Sequence, residues 1–325
     1  MKKFLVFFIS IIFCCIFTNS TFIAYADDNE VILGGFAAGF SVKTKGVGVI
    51  GLCDVITEDG IKTPSKDANL CVGDIILSIN GVEVRDAEDI SKEIQDGKLK
   101  ILSIKRCDYY LETFILPIKD INGIYKIGVY LRDDICGIGT ITFIKNGKYA
   151  SLGHPILDED GKLLSFVDGT LSECNITGCV KGERGKAGEL RGVFLKTPCI
   201  GNVIKNTDSG VYGNMNKNYL ENLPKEKISI GDAKIGYAKI VSTVSDTKKS
   251  YDVSIVKIDK YRETRNFVIK IEDDELLGLT GGIVQGMSGS PIIQDGRLVG
   301  AITHVFINDP TRGFGISVSN MLSKM

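Results

Sequence analysis

The stretch Gly286-Met287-Ser288-Gly289-Ser290-Pro291 holds the residues of this chain best placed to do chemistry. Attack by a serine on a carbonyl needs a hydroxyl on a tight turn and backbone N–H groups aimed where the oxyanion develops. Gly286 lets the backbone supply such a donor, and Gly289 lets the chain turn close to a substrate. The alternative is a structural hairpin with incidental serines. Ile292 and Ile293, Asp295-Gly296, then Leu298 to Val305 read as a supporting hairpin in either case. A base is needed next, and the chain has two histidines. His154 stands in a Gly-His turn after a β run (YASLGHPILDED). His304 stands inside the apolar strand AITHVF, where histidine is more often a hydrogen-bonded core residue. His154 is therefore the expected base. Neither histidine has metal-motif spacing, so no metal and no cofactor is expected. A carboxylate would orient the imidazole. Asp273, fifteen residues before Ser288, is one choice, with Asp252 and Asp158 as others; Asp273 or Asp274 also reads as the cap of a helical turn from Glu275 to Leu279.

The elements that must hold these residues are mostly strands. Thirty-seven glycines and no tryptophan point to many tight turns. From residue 119 onward, short β-rich runs recur (IGVYLR, GTITFI, GYAKIVSTV, YDVSIVKI, NFVIKI, RLVGAITHVFI), which predicts an all-β sandwich or barrel. Lys181 to Leu190 (KGERGKAGEL) lacks the ending and the preceding strand of a phosphate loop and reads as a solvated loop. Asn308 to Gly315 is either a wall of the substrate cleft or a surface turn. Upstream, Ile75–Ile79 reads as a strand, Asn80-Gly81 as a hairpin turn, Val82–Val84 as the return, and Asp86 as the cap of a helix carrying Ile90 and Ile94. With Val72 to Gly81 (VGDIILSING), this unit resembles a PDZ domain. By that resemblance Gly46, Val47, Gly48 and Val49 would receive a peptide C-terminus by strand addition.

Lys2 and Lys3, the apolar run Phe4–Phe17 and Ala24-Tyr25-Ala26 form an export-signal pattern, with cleavage expected after Ala26. The run is short for a membrane span. A charged fraction of 24% with a net charge of -1 suits a packed soluble protein and offers no electrostatic attraction for nucleic acid. Seven cysteines follow the signal. Their odd number and the absence of a CxxC pair predict small buried hydrophobes rather than a disulfide framework, with at most one unassigned bridge.

The residues together resemble the SpoIVB peptidases, sporulation signalling serine proteases of endospore-forming bacteria. The likeness covers nearly all of the mature chain: the PDZ-like unit, Gly137-Ile138-Gly139-Thr140, Gly153-His154, Lys181-Gly182 with Gly188-Glu189, and above all Thr280 to Phe314. It implies a mainly β protein in which residues 1–26 are a signal or anchor, 27–118 a PDZ-like α+β domain and 119–325 a trypsin-like double β-barrel. It implies a triad of His154, Asp273 and Ser288, with Ser288 rather than Ser290 as nucleophile and the N–H groups of Gly286 and Ser288 as oxyanion hole. It also implies work in the space between forespore and mother-cell membranes, with peripheral or tethered membrane association. There the substrate would be a membrane-bound regulator, cut so as to activate a membrane-embedded protease that processes a late sigma factor; some members also process themselves. Two competing readings are a catalytically silent secreted PDZ adaptor and a quality-control protease of the HtrA type, which places its PDZ units after the catalytic domain.

Overall fold

The computed structural model describes residues 29–158, 161–195 and 198–325. The expected export signal, residues 1–26, lies outside the described residues. Strands such as Phe267–Ile271 bury alternate residues, others such as Arg297–Phe306 bury continuous runs, and two closed rings result. In the first, Ala37–Leu52 pairs with Val129–Lys145, which pairs with Lys148–Ser151 and so on through Gly210–Met215, Gly201–Thr207 and Asp168–Val180 back to Ala37–Leu52. Every pairing is antiparallel. Phe40, Val42, Ile141, Tyr149, Leu171 and Val211 fill the interior.

The second ring has the same form. Gly236–Ser242 pairs with Lys249–Ile258, then Phe267–Ile271, Asp309–Ser317, Arg297–Phe306 and Pro291–Gln294, which returns to Gly236–Ser242. Ile240, Val253, Ile269, Ile292 and Ile302 lie in its core with no exposed surface. Closure leaves a barrel no free edge, so neither ring offers a strand to other chains. Phe143 and Tyr212 of the first barrel pack on Val241, Ala301 and Ile316 of the second, joined by Val318 and Met321 of the terminal helix Val318–Leu322. The expected double β-barrel is thus present.

The PDZ-like unit has the elements its sequence predicts. Ile75–Ile79 and Val82–Glu83 form a hairpin across Asn80 and Gly81, both with positive φ. The helix Ala87–Ile94 is capped by Asp86, whose carboxylate accepts from Asp89 N at 2.9 Å, and it buries Ile90 and Ile94. Asp74 is fully buried and takes two hydrogen bonds from the Arg106 guanidinium, at 2.7 and 2.8 Å, and a third from Cys71 N at 2.8 Å.

Two expectations need correction. A boundary at 118/119 does not divide the sheets, because Ala37 to Lys43 pair with Asp134–Thr140 and Asp168–Glu173 as a strand of the first barrel. The PDZ-like unit is inserted within the barrel domain rather than placed before it. Two strands, Ala37–Leu52 and Val129–Lys145, run without a break from one unit into the other. The cysteines also differ from expectation. Only Cys174 is buried, Cys71, Cys107 and Cys136 are exposed, and no disulfide forms among the described residues.

Candidate active site

The serine turn lies between the short helix Asp274–Thr280 and the strand Pro291–Gln294, and the first barrel holds it from across the interface. Thr140 Oγ1 donates to Gly286 O at 2.9 Å, Thr140 N to Ser288 O at 2.9 Å, and Thr142 Oγ1 to Gly289 O at 2.7 Å. Both threonines are buried. With the carbonyls engaged from that side, the N–H groups of Gly286 and Ser288 have no acceptor among the described residues. Gly289 has a φ of 93°, and a Cβ there would sit 2.1 Å from Thr140 O, so only glycine permits this approach. The turn therefore presents unpaired donors, as an oxyanion hole requires.

Ser288 is half-buried, and its Oγ donates to Thr303 O at 2.8 Å. Ser290 is fully buried, and its hydroxyl bonds Ser242 Oγ at 2.9 Å. Of the two serines, Ser288 alone lines a cavity of about 450 Å³, together with His154, His304, Gly286, Gln285 and Ile138.

His154 follows Leu152 and Gly153, both in the left-handed region with φ of 62° and 68°. Such a φ is rare for leucine and marks a backbone held by its surroundings. A Cβ at Gly153 would come within 2.8 Å of the Thr303 side chain, so this bend sits tightly against the serine's own barrel. His154 Nδ1 lies 2.8 Å from Pro155 O. A carbonyl only accepts, so Nδ1 carries the proton and Nε2 keeps its lone pair, the form a general base needs. Burial holds the imidazole below the ordinary histidine range; the Pro155 carbonyl opposes that shift and the positive charge of Arg265 adds to it.

Asp273 is not brought to either histidine by a hydrogen bond. It caps the helix, accepting from Leu276 N at 2.9 Å and from Asp252 N at 3.2 Å. Its neighbour Asp252 pairs with Lys239 instead. His304, read from sequence as a core residue, lies beside His154 with ring centroids 4.9 Å apart.

At the PDZ-like unit, the edge expected to take a peptide is filled by the chain itself. Val47 and Gly48 pair with Ile76 and Ile75 on one side. On the other, Gly48, Val49, Gly51 and Leu52 pair antiparallel with Arg132, Leu131, Tyr130 and Val129. Gly46 is pressed on Ile76 O, which a Cβ would approach to 2.5 Å. Ile127, Val129 and Leu131 pack into the same core as Ile90 and Ile94 of the helix, and Ala87 N donates to the Asp133 carboxylate at 3.3 Å. The strand at Gly46–Val49 consequently has no free edge for an added peptide.

Sequence reasoning missed three supports of the site. Thr142 stands in a strand run and carries no motif. The loop Lys181–Leu190 exposes its charges but buries Gly182 and Gly188, and Gly188 O accepts from Gln285 N while Leu190 N donates to Gln285 O, both at 2.9 Å. Pro310 O accepts from Ile283 N at 2.8 Å, so the Asn308–Gly315 segment backs the serine turn. The glycine content of both segments was the signal for close backbone approach.

A family model described as SpoIVB peptidase S55 matches residues 123–322, and a PDZ domain model matches residues 56–106. No curated protein matches the chain. Among solved structures, the PDZ domain of an SdrC-like protein from Listeria monocytogenes is 24% identical, covering 28% of this chain and 90% of that one with a TM-score of 0.23. The Rv3671c protease of M. tuberculosis is similar in its inactive form, at 15% identity over 58% of this chain and 84% of that one with a TM-score of 0.33. Its active form is 14% identical over 59% and 73% of the two chains, with a TM-score of 0.32.

Proposed function

The chain belongs to the SpoIVB peptidase S55 family and is a serine peptidase carrying a PDZ domain, and from that premise we propose an extracytoplasmic endopeptidase of sporulation signalling with Ser288 as nucleophile and His154 as base. The observation that carries the site assignment is the shared cavity. Ser288, His154 and Gly286 all line it, and the N–H groups of Gly286 and Ser288 have no acceptor among the described residues. In the reaction, the Ser288 hydroxyl turns from Thr303 O toward His154 Nε2, which takes its proton as Oγ attacks the substrate carbonyl. The developing oxyanion meets the two N–H groups, and water later releases the acyl group.

The biological setting rests on the family and on the export-signal pattern at residues 1–26. The substrate is then a regulatory protein at a membrane, its cleavage activating a membrane-embedded protease and late sigma-factor processing, with self-processing as a further event. Fluorophosphonate labelling tests the site. Mass spectrometry should find the adduct on Ser288, lost in His154→Ala and kept in Ser290→Ala. An adduct on Ser290, or one indifferent to His154, rejects the assignment. Blocked processing of the sigma factor in sporulating cells that carry Ser288→Ala is the expected cellular result, and normal processing rejects the signalling role.

A further inference from the structure

When a peptide bond is cut by a serine, the base hands its proton to the departing amine. The residue that leaves with that amine therefore lies on the histidine's side of the nucleophile. On that side the cavity at Ser288 is walled by the first barrel. Phe40 comes from the strand Ala37–Leu52, and Ile135 and Ile138 come from Val129–Lys145. Leu152, Ile156 and Leu157 stand on the chain to either side of His154. From the second barrel come the serine turn and His304.

This wall is preformed and apolar. Phe40 and Leu152 are buried and meet over the bare backbone of Gly139, where a Cβ would lie 2.1 Å from the Leu152 side chain and 2.9 Å from the Phe40 ring. Leu157 stands at the rim, 49% exposed. Gly137 also lines the cavity, and no atom lies within 4 Å of the place a Cβ would take, so the space ahead of it is open. No carboxylate, amine or guanidinium is among the lining groups. Burial holds both imidazoles below the ordinary histidine range, so they bring no charge at neutral pH. The acids nearby in sequence, Asp134 and Asp158, line a separate cavity beside the PDZ-like unit. A charged side chain entering at Ser288 would lose its hydration and find no partner, whereas an apolar one would cover a wall that water now meets.

We propose that this wall is the pocket for the residue that follows the cleaved bond, and that the enzyme selects substrates with a large aliphatic or aromatic side chain at that position. This rests on the assignment of Ser288 and His154 made above. The same pocket must receive an amine that attacks the acyl-enzyme, since that step is the reverse of amine departure. The amine lone pair forms the new amide bond as the bond from carbon to Ser288 Oγ breaks. His154 takes the amine proton and returns one to Oγ.

The test uses the purified full chain and acyl transfer from p-nitrophenyl acetate to leucinamide, phenylalaninamide, glutaminamide and lysinamide. Each rate is taken relative to the uncatalysed reaction of the same amine, and the acetylated products are counted by mass spectrometry. Leucinamide and phenylalaninamide should be acetylated roughly 10–100-fold faster than the other two, the range over which an apolar pocket discriminates. Leu157→Asp, a change at the exposed rim, should raise lysinamide above leucinamide. Gly137→Phe, which fills the open space, should lower the use of leucinamide about tenfold relative to glycinamide. Ester turnover that needs Ser288 and His154, with all four amines used alike or the polar ones favoured, would overturn the proposal and leave the assignment of the two residues intact. The wild-type comparison decides this even if a variant fails to fold. Ester turnover that is absent, or that persists in Ser288→Ala or His154→Ala, would overturn the Ser288–His154 assignment and the proposal with it.

Discussion

The serine turn and the PDZ-like groove are both places where backbone groups could meet a peptide, and the chain treats them in opposite ways. At the turn, Thr140 and Thr142 bond the carbonyls, and the N–H groups of Gly286 and Ser288 have no acceptor among the described residues. In the groove, Val129–Arg132 already pairs with Gly48–Leu52 and occupies that strand edge. One site is preorganised for an outside peptide. The other is satisfied from within, so its strand serves to bind the two units together.

That contrast can be broken most sharply at the turn. Ser288→Ala should lower peptidase turnover by about 10⁴-fold, as loss of a nucleophile does. Ser290→Ala, which removes only a buried bond to Ser242, should leave turnover within about tenfold of wild type. Next in size is Asp74→Ala, which leaves Arg106 without its buried partner. It should destabilise the PDZ-like unit by about 3 kcal/mol in chemical denaturation, with the labelling rate of folded protein unchanged.

A matched pair of threonines then separates the two regions. Thr140→Val and Thr113→Val each remove one hydroxyl bond to a carbonyl, at Gly286 and Ala68 respectively, and each should cost about 1–2 kcal/mol of stability. Labelling should slow only in Thr140→Val. Leu131→Asp, which breaks the packing of the groove-filling strand, should make binding of C-terminal peptides measurable by anisotropy; equal binding in wild type would show the groove to be open after all.

The smallest effect is in pH. Both histidines are held below 6.5 by burial, so the unfolded chain binds more protons than the folded one between 6.5 and about 4. Stability should fall as pH drops through that window. With His154 as the proposed base, the acid limb of kcat/KM should lie below that of an ordinary histidine.

The hairpins, caps and serine turn were readable because they depend on neighbours in sequence. Asn80-Gly81 forms its turn, Asp86 caps its helix, and Gly286 and Gly289 make the tight turn expected of them, both with positive φ. The insertion was not readable, since pairing of Ala37 with Thr140 leaves no local pattern. Nor was the filled groove, whose occupant VYLR looks like any other β run. Asp273 could be read two ways from spacing alone, and the helix cap is where its carboxylate is bonded. The left-handed Leu152 ahead of His154 has no sequence signal, because its surroundings impose a conformation that leucine disfavours.

The two strands that run through both units favour one order of assembly. Ala37 and Thr140 stand about a hundred residues apart, and closing so long a loop by diffusion carries a large entropic cost before any contact forms. A PDZ-like unit that folds early brings Gly48 and Arg132 together, and the two strands then need only zip onward to Ala37 and Thr140. The inserted unit acts as the clasp of the first barrel, shortening the search that would otherwise limit its closure. A chain whose clasp is weakened would refold slowly and gain its nucleophile turn last.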